Sequence, residues 1–153
     1  MTAGGTKGFR RAEDPALLAG RGRFVDDIHL DRMVHAAFLR SPHAHARIKS
    51  IACERAIDAG AIAVILANDL PFADKQLVAR YWHPSIRKVL PPFLAKDRVH
   101  FVGEPIALVV AEDRYLAEDY AQLIEVEYEE LVPLGTPEAA LNPEVAPLHP
   151  QWH

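Results

Sequence analysis

The chain has 153 residues, of which half are apolar and a quarter are charged, and its formal net charge is −4 at pH 7. A chain of this length makes about one domain and buries roughly 70% of the surface that its unfolded form would expose. Acidic and basic residues are interspersed with a slight acidic excess, which excludes an extended basic face, so nucleic acid is not an expected partner.

Cysteine content and apolar runs bear on the compartment in which the protein resides. Cys53 is the single cysteine, so no internal disulfide can form, which is typical of a reducing compartment. The longest apolar runs, residues 61–67 and 106–111, are far shorter than the roughly 20 residues of a membrane span. No apolar stretch near Met1 resembles an export signal. We therefore expect a cytoplasmic protein without a membrane partner.

The first half of the chain predicts short helices and strands. Asp14 is an expected N-cap, Pro15 suits the first helical position, and Gly20 suits a helix end. Residues 33–39 are almost wholly apolar and predict a buried strand, whereas the alternation over residues 47–52 predicts a half-buried one. The predicted elements are a helix at 14–20, strands at 23–25, 33–39 and 47–52, a helix at 53–59, a strand at 61–66 and a helical turn near 68–70.

Residues 71–97 break this regularity. Four prolines fall at positions 71, 84, 91 and 92, and aromatic side chains are scattered among basic ones. A loop this long in a compact domain is usually functional or packs against another structure. We expect this loop to form a docking face. The isolated chain should then self-associate through the loop, or the amides of the loop should exchange hydrogen rapidly. Its large apolar groups are Phe72, Tyr81, Trp82, Ile86, Val89, Leu90 and Phe93.

Regular patterns return in the second half. Strands are predicted at residues 98–102 and 105–111, joined by a sharp turn or bulge at Gly103. Asp113 is an expected helix cap, and an apolar stripe follows it at helical spacing. That stripe consists of Leu116, Tyr120, Leu123 and Ile124.

The last predicted elements are a strand and a helical turn. Residues 125–131 alternate glutamates with apolar groups, which predicts a strand with one solvated face. Thr136 opens a final helical turn before a proline-rich tail. Strands and helices are mixed without the strict alternation of a parallel sheet, so we expect an α+β fold with a few short helices.

His43 and His45 are the first candidates for a functional site. On a strand they would point to the same face and share a zinc ion, with a third ligand from His35, His83 or His100. Pro42 also favours a turn, in which the imidazoles cap backbone groups instead. Two ligands are not a metal site, so the metal interpretation is the weaker one.

Other motifs favour structural roles. Residues 4–8 are glycine-rich but lack the order of a phosphate loop. The acidic pairs at 26–27 and 118–119 point their side chains apart, so neither supplies an acid and a base to one substrate. The glutamates of residues 125–130 predict a solvated face, and Cys53 predicts a small buried side chain. These residues alone identify no active site.

Three long segments carry a family resemblance. They are RAEDPALLAGRGRFVDDI (residues 11–28), HAAFLRSPHAHARIKSI (35–51) and VHFVGEPIALVVAEDRYLAEDYAQLIEVEYEEL (99–131). In this order they resemble the amino-terminal α/β-hammerhead domain of the large, molybdopterin-binding subunit in the xanthine dehydrogenase, aldehyde oxidase and carbon monoxide dehydrogenase family. The resemblance implies one hammerhead domain over residues 1–153, with an arm at about 1–12 and a tail at about 142–153 that leads to a missing cofactor-binding region. It also implies that His43 and His45 belong to the scaffold.

The resemblance further implies a molybdenum hydroxylase, an oxidoreductase in which a glutamate acts as the base and electrons leave through iron–sulfur clusters to FAD. Each cluster needs about four cysteine thiolates, and this chain has only Cys53. We therefore expect an isolated chain that binds no cofactor and is inactive. Its expected partners are the molybdopterin-binding region or subunit and the flavin and iron–sulfur subunits, with self-association when these are absent.

In xanthine dehydrogenases, the loop that corresponds to residues 86–93 helps to line the substrate channel. The resemblance therefore makes Val89, Leu90 and Phe93 candidates for lining such a channel. An ordinary loop packed on a neighbouring domain is the alternative. For the whole chain, a stand-alone binding or assembly module is the rival interpretation, and a small histidine-metal hydrolase ranks third.

Overall fold

The computed structural model describes residues 11–71 and 92–149. Contacts divide the chain into two compact units, Met1–Met33 and Val34–His153. The helices are α1 (Asp14–Leu18), α2 (Glu54–Asp58), α3 (Arg114–Gln122) and α4 (Pro137–Ala140), and 3-10 turns lie at Val25–Asp27 and Ala67–Asp69. In the part of the chain that is described, no helix has the length and apolar character to cross a bilayer.

The first unit contains α1 and the 3-10 turn Val25–Asp27. The predicted helix is confirmed, but its N-cap is Glu13 and not Asp14, whose carboxylate accepts from the Arg11 amide at 3.1 Å. The strand predicted at residues 23–25 is wrong. The Asp27 carboxylate accepts from the Phe24 amide at 2.9 Å and closes a turn. This amide is then not available to pair with a neighbouring strand.

Within residues 34–71 and 92–149, the second unit forms two antiparallel sheets, each of three strands. In the first sheet the order is β1 (His35–Arg40), β5 (Pro105–Ala111) and β3 (Ala63–Leu66). In the second, β2 (Ala46–Ala52) lies between β4 (Arg98–Val99) and β6 (Glu125–Glu130). Antiparallel pairing throughout these sheets and the short helices confirm the α+β class.

Helices α2 and α3 pack with the first sheet around one apolar cluster. Its buried members are Ala56, Ala107, Val109, Ala121 and Ile124. Strand β1 is predicted to be buried on both faces, but its side chains alternate, and Phe38 on its other face is 48% exposed. That prediction is wrong because a run of small apolar residues does not reveal how many layers will cover the strand.

The buried face of α3 is built from alanines. Ala117 and Ala121 are buried, whereas Leu116, a member of the predicted stripe, is 40% exposed. Methyl side chains allow the helix to approach the sheet closely, so the true packing face is rotated from the stripe of larger residues. The stripe is therefore correct for Ile124 and wrong for Leu116.

The N-terminus of α3 carries the predicted cap. Asp113 Oδ1 accepts from the Tyr115 amide at 2.7 Å and from the Leu116 amide at 3.4 Å. We expect Asp113→Ala to lower the free energy of unfolding by about 1 kcal/mol, since two helix amides lose their acceptor. Asp119→Ala, at an exposed position of the same helix, is the matched control and should change it by less than about 0.5 kcal/mol. Equal losses in urea unfolding would contradict the capping role.

A bulge in β2 explains why its burial departs from strict alternation. The register with β6 shifts between Ile48 and Ser50, so Lys49 and Ser50 are both exposed while Ile48 and Ile51 both pack inward. On the outer face, the glutamates of β6 are solvated, as predicted, and pair with cations. The pairs are Arg47–Glu129 at 3.7 Å, Lys49–Glu127 at 3.9 Å and Arg55–Glu125.

Candidate functional site

Two turns that are distant in sequence are joined by backbone hydrogen bonds. One follows β1 and the other precedes β5. The Ser41 amide donates to the Glu104 carbonyl at 2.9 Å, and the Gly103 amide donates to the Ser41 carbonyl at 2.8 Å. Arg40 Nη1 also donates to the Gly103 carbonyl at 2.9 Å. Gly103 has φ +90°, a conformation that side chains disfavour, so a glycine suits this turn.

The joined turns enclose the buried polar side chains of Ser41, His45 and Glu104. The Ser41 hydroxyl donates to the His43 carbonyl at 2.9 Å and accepts from the His43 amide at 3.0 Å. The Glu104 carboxylate accepts from the His100 amide and lies 3.4 Å from Nδ1 of the His100 ring. Each buried group therefore holds a turn of this chain, as buried polar groups generally must.

His43 and His45 lie in the turn before β2 and have different partners. The His43 ring packs on Tyr128 at a centroid distance of 4.5 Å, with Nδ1 3.4 Å from Glu130 Oε1. His45 Nδ1 donates to the Val132 carbonyl at 2.8 Å, which fixes the proton on that nitrogen. This geometry agrees with the interpretation of a turn in which an imidazole caps the backbone, and it differs from a shared strand face.

His100, one of the proposed third ligands, does lie beside His45. Their rings stack at 6.2 Å and 22°, and His149 stacks on His100 at 5.1 Å and 23°. Nearly parallel rings do not direct their nitrogen lone pairs at one point, as a tetrahedral zinc site requires. Over residues 11–71 and 92–149, no group of three or more His, Cys, Asp or Glu side chains is arranged to hold a metal ion.

Burial changes the pKa of the His149 ring and of the Cys53 thiol. The pKa of His149 lies below its ordinary 6.5 because the ring is desolvated and His100 repels a positive charge, although Glu104 opposes this effect. Burial also raises the pKa of the Cys53 thiol, and the charges of Glu54 and Asp69 add to that increase. A thiol that is kept protonated is a poor nucleophile and metal ligand.

Those of the remaining candidates that the structure describes do not converge on a common site. Phe93 lines an apolar cavity of about 190 Å³, whereas Val89 and Leu90 lie outside the described residues, as do His83 and the glycine-rich residues 4–8. The other residues that line this cavity are Phe38, Ile65, Leu70, Leu94 and Leu108. Asp27 holds the turn in the first unit, and residues 118–119 are exposed on α3.

Sequence reasoning assigns no role to Ser41, Glu104 or His149. One signal was available for Glu104, since a carboxylate lies between two apolar stretches, at residues 99–102 and 105–111, where burial is common. The signal for Ser41 is weaker, and His149 offers none, because its contact with His100 joins residues that are distant in sequence.

The two histidines of the turn should differ in their contribution to stability. His45 is buried and bonded to Val132, so His45→Ala should lower the free energy of unfolding by about 1–2 kcal/mol. His43→Ala removes a partly exposed contact and should cost less than about 1 kcal/mol. We expect neither change to alter the zinc content of the purified protein. Stoichiometric zinc in the parent that disappears in the double variant would restore the metal interpretation.

The described geometry can be compared with known proteins. The family model for the aldehyde oxidase and xanthine dehydrogenase α/β hammerhead domain matches residues 19–132. The large chain of carbon monoxide dehydrogenase from Afipia carboxidovorans is 42% identical over 140 residues, which are 91% of this chain and 17% of that one. The xanthine dehydrogenase molybdenum-binding subunit of Escherichia coli O157:H7 is 35% identical over 142 residues, 91% of this chain and 19% of that one.

A solved structure agrees with these sequence matches. Quinoline 2-oxidoreductase from Pseudomonas putida 86 superposes with a TM-score of 0.81 and 44% identity, over 88% of this chain and 17% of that one. The chain thus spans less than a fifth of the length of the relatives that it matches. The family match, together with the two antiparallel sheets and the joined turns, shows that the chain belongs to the α/β-hammerhead domain family of aldehyde oxidases and xanthine dehydrogenases.

Proposed function

We propose that this chain is the amino-terminal scaffold domain of a molybdenum hydroxylase large subunit and performs no redox chemistry by itself. The observation that carries the proposal is the extent of the structural match, which takes in 88% of this chain and 17% of quinoline 2-oxidoreductase. The buried polar groups support it, since Ser41, His45 and Glu104 hold turns of the domain and do not converge on a substrate.

The residues of this chain do not fit the redox cofactors of such an enzyme. An iron–sulfur cluster needs about four thiolates, while Cys53 is the one cysteine and burial favours its neutral thiol. Among the described residues, Ser41, Glu104 and Nδ1 of His45 are engaged with the backbone of this chain, and His45 Nε2 is the buried side-chain atom left without a hydrogen-bond partner. One open nitrogen does not make a site for a pterin, which presents several donors and acceptors. We assign the molybdopterin and the general-base glutamate to a region outside this domain, and the clusters and FAD to partner subunits or domains.

The partners follow from this assignment. The molybdopterin-binding region is the expected neighbour, and flavin and iron–sulfur subunits complete the electron path in the cytoplasm. The carbon monoxide dehydrogenase relative is called a large chain and the xanthine dehydrogenase relative a molybdenum-binding subunit, names that fit assemblies of several chains. A self-associated form of the isolated domain is proposed for conditions in which those partners are absent.

The substrate channel remains part of the proposal. Phe93 is 38% exposed and lines an apolar cavity at an outer face of the first sheet, which is the kind of wall that a passage for small apolar substrates needs. We propose that Val89 and Leu90 extend this wall in the complete enzyme.

Activity and binding measurements test the scaffold proposal together. The purified chain should show no turnover with aldehydes, purines or carbon monoxide in the presence of an artificial electron acceptor, and it should contain no stoichiometric molybdenum. An intact relative serves as the positive control for the assay. Turnover by the chain alone would contradict the proposal. A folded chain that fails to bind the co-expressed molybdenum-binding region of quinoline 2-oxidoreductase, the relative with 44% identity, would favour the stand-alone module.

A further inference from the structure

Three imidazoles from separate parts of the second unit form one stack. His45 lies in the turn before β2, His100 follows β4, and His149 lies near the end of the described chain. The ring centroids are 6.2 Å apart between His45 and His100 and 5.1 Å apart between His100 and His149. We call this arrangement the imidazole stack.

The imidazole stack lies where the C-terminal segment, residues 142–149, meets the rest of the unit. Residues 144–147 line a cavity of about 400 Å³ together with His45, Arg98, Leu131 and Val132. The segment has little regular structure of its own, and its described backbone bonds are local turns such as the one from the Val145 amide to the Asn142 carbonyl. Side-chain contacts at the stack and the cavity are therefore among the contacts that hold the segment in place.

Charged side chains lie close to the imidazole stack. Glu104 lies beside His100 and can balance one positive charge, whereas Arg98, at the same cavity as His45, already carries one. Glu144 lines this cavity from the segment itself. A proton on His149 would place a positive charge in a partly desolvated site, with the His100 ring 5.1 Å away, and both features disfavour that charge.

We propose that the imidazole stack is an acid-sensitive latch, in which the neutral His149 ring holds residues 142–149 near neutral pH and its protonation in mild acid releases them. This inference does not depend on the proposed function, because it concerns contacts within the second unit alone.

Linkage gives the direction of the effect. The pKa of His149 is lowered in the docked state, so the released segment takes up a proton first as the pH falls below the ordinary 6.5. Proton uptake by His149 therefore does not oppose docking well above that pH, and it weakens docking as the pH falls. Each proton taken up on release changes the docking equilibrium by at most about tenfold per pH unit.

Nuclear magnetic resonance of the full 153-residue chain tests the latch. Cross-peaks between the His100 and His149 rings and the methyl shift of Ala146 report docking at pH 7.5 and pH 5.5. We expect docking to weaken as the pH falls and His149 titrates, by at most about tenfold per pH unit. His149→Phe keeps an aromatic ring that cannot be protonated, so it should stay docked at pH 5.5. His29→Phe, at an exposed position of the first unit, is the control and should behave as the parent does.

Three outcomes would overturn the latch. The first is a parent segment that stays docked while the His149 ring titrates. The second is loss of docking at pH 5.5 in His149→Phe to the same extent as in the parent. The third is a His149→Phe segment that is already released at pH 7.5, because the latch depends on the stacking of an uncharged ring.

Discussion

Replacing Ile106 with alanine is expected to lower the free energy of unfolding by about 2–5 kcal/mol, the cost of removing a large aliphatic side chain from a closed core. Ile106 is fully buried, and among the described residues it is the largest side chain with this degree of burial. It packs with Ala46, Ala95 and Val99 in an apolar cluster of its own, while its neighbour Ala107 belongs to the cluster between the first sheet and helices α2 and α3. The loss should therefore weaken the contact between β5 and the second sheet.

The small size of its neighbours strengthens this expectation. Two of the three buried partners of Ile106 are alanines, which cannot move far enough to fill the cavity that the substitution leaves. Ile62→Ala is the matched control, because Ile62 is 53% exposed and should cost less than about 1 kcal/mol. Urea unfolding of both variants measures the difference. A similar loss in both would mean that Ile106 does not hold the two clusters together.

Local signals were sufficient for the elements that the sequence predicts well. Strand β5 occupies Pro105–Ala111 as predicted, and Asp113 caps α3 through its side chain. In both cases the deciding interactions lie within a few residues, so the pattern of apolar residues and a single cap residue contain the answer. The outward glutamates of β6 belong to the same group, because alternation along one strand determines their exposure.

Predictions failed where the answer depended on a distant neighbour. The apolar stretch of β1 looks buried on both faces, but α2 and α3 cover the first sheet on one side and leave Phe38 half-exposed. The prediction that Leu116 is buried failed because α3 packs on the sheet through Ala117 and Ala121, whose small side chains allow close approach. At residues 23–25, strand propensity is weak, and the local hydrogen bond from the Phe24 amide to the Asp27 carboxylate favours a turn instead.

The candidate site was predicted least well from residue patterns alone. The sequence shows the pair His43 and His45 but does not show what the two rings contact. Their partners Tyr128, Glu130 and Val132 lie more than 80 residues further along the chain, and no local pattern encodes such contacts. Similarity to a known family supplied the scaffold role instead. The structure gives a physical reason for that role, because Ser41 and Glu104 lie in the two turns that backbone hydrogen bonds join.

Replacing Glu104 with alanine is the second change with a large expected effect, about 2–4 kcal/mol of lost stability. The Glu104 side chain is 4% exposed, and its carboxylate accepts from the His100 amide. Alanine would remove a charged hydrogen bond and leave a donor without its partner in a partly buried turn. Glu104→Gln keeps an acceptor oxygen in a side chain of similar shape, so its loss of stability should be about half of that in Glu104→Ala.

The comparison with an exposed glutamate separates this role from simple charge removal. Glu127 is 64% exposed and pairs with Lys49 at 3.9 Å, so Glu127→Ala should cost less than about 1 kcal/mol. Hydrogen exchange at the Ser41 amide, which donates to the Glu104 carbonyl, should also become faster in Glu104→Ala, because the turn that presents this carbonyl is loosened. Equal stability losses at Glu104 and Glu127, with unchanged exchange at Ser41, would show that the buried carboxylate does not hold the two turns together.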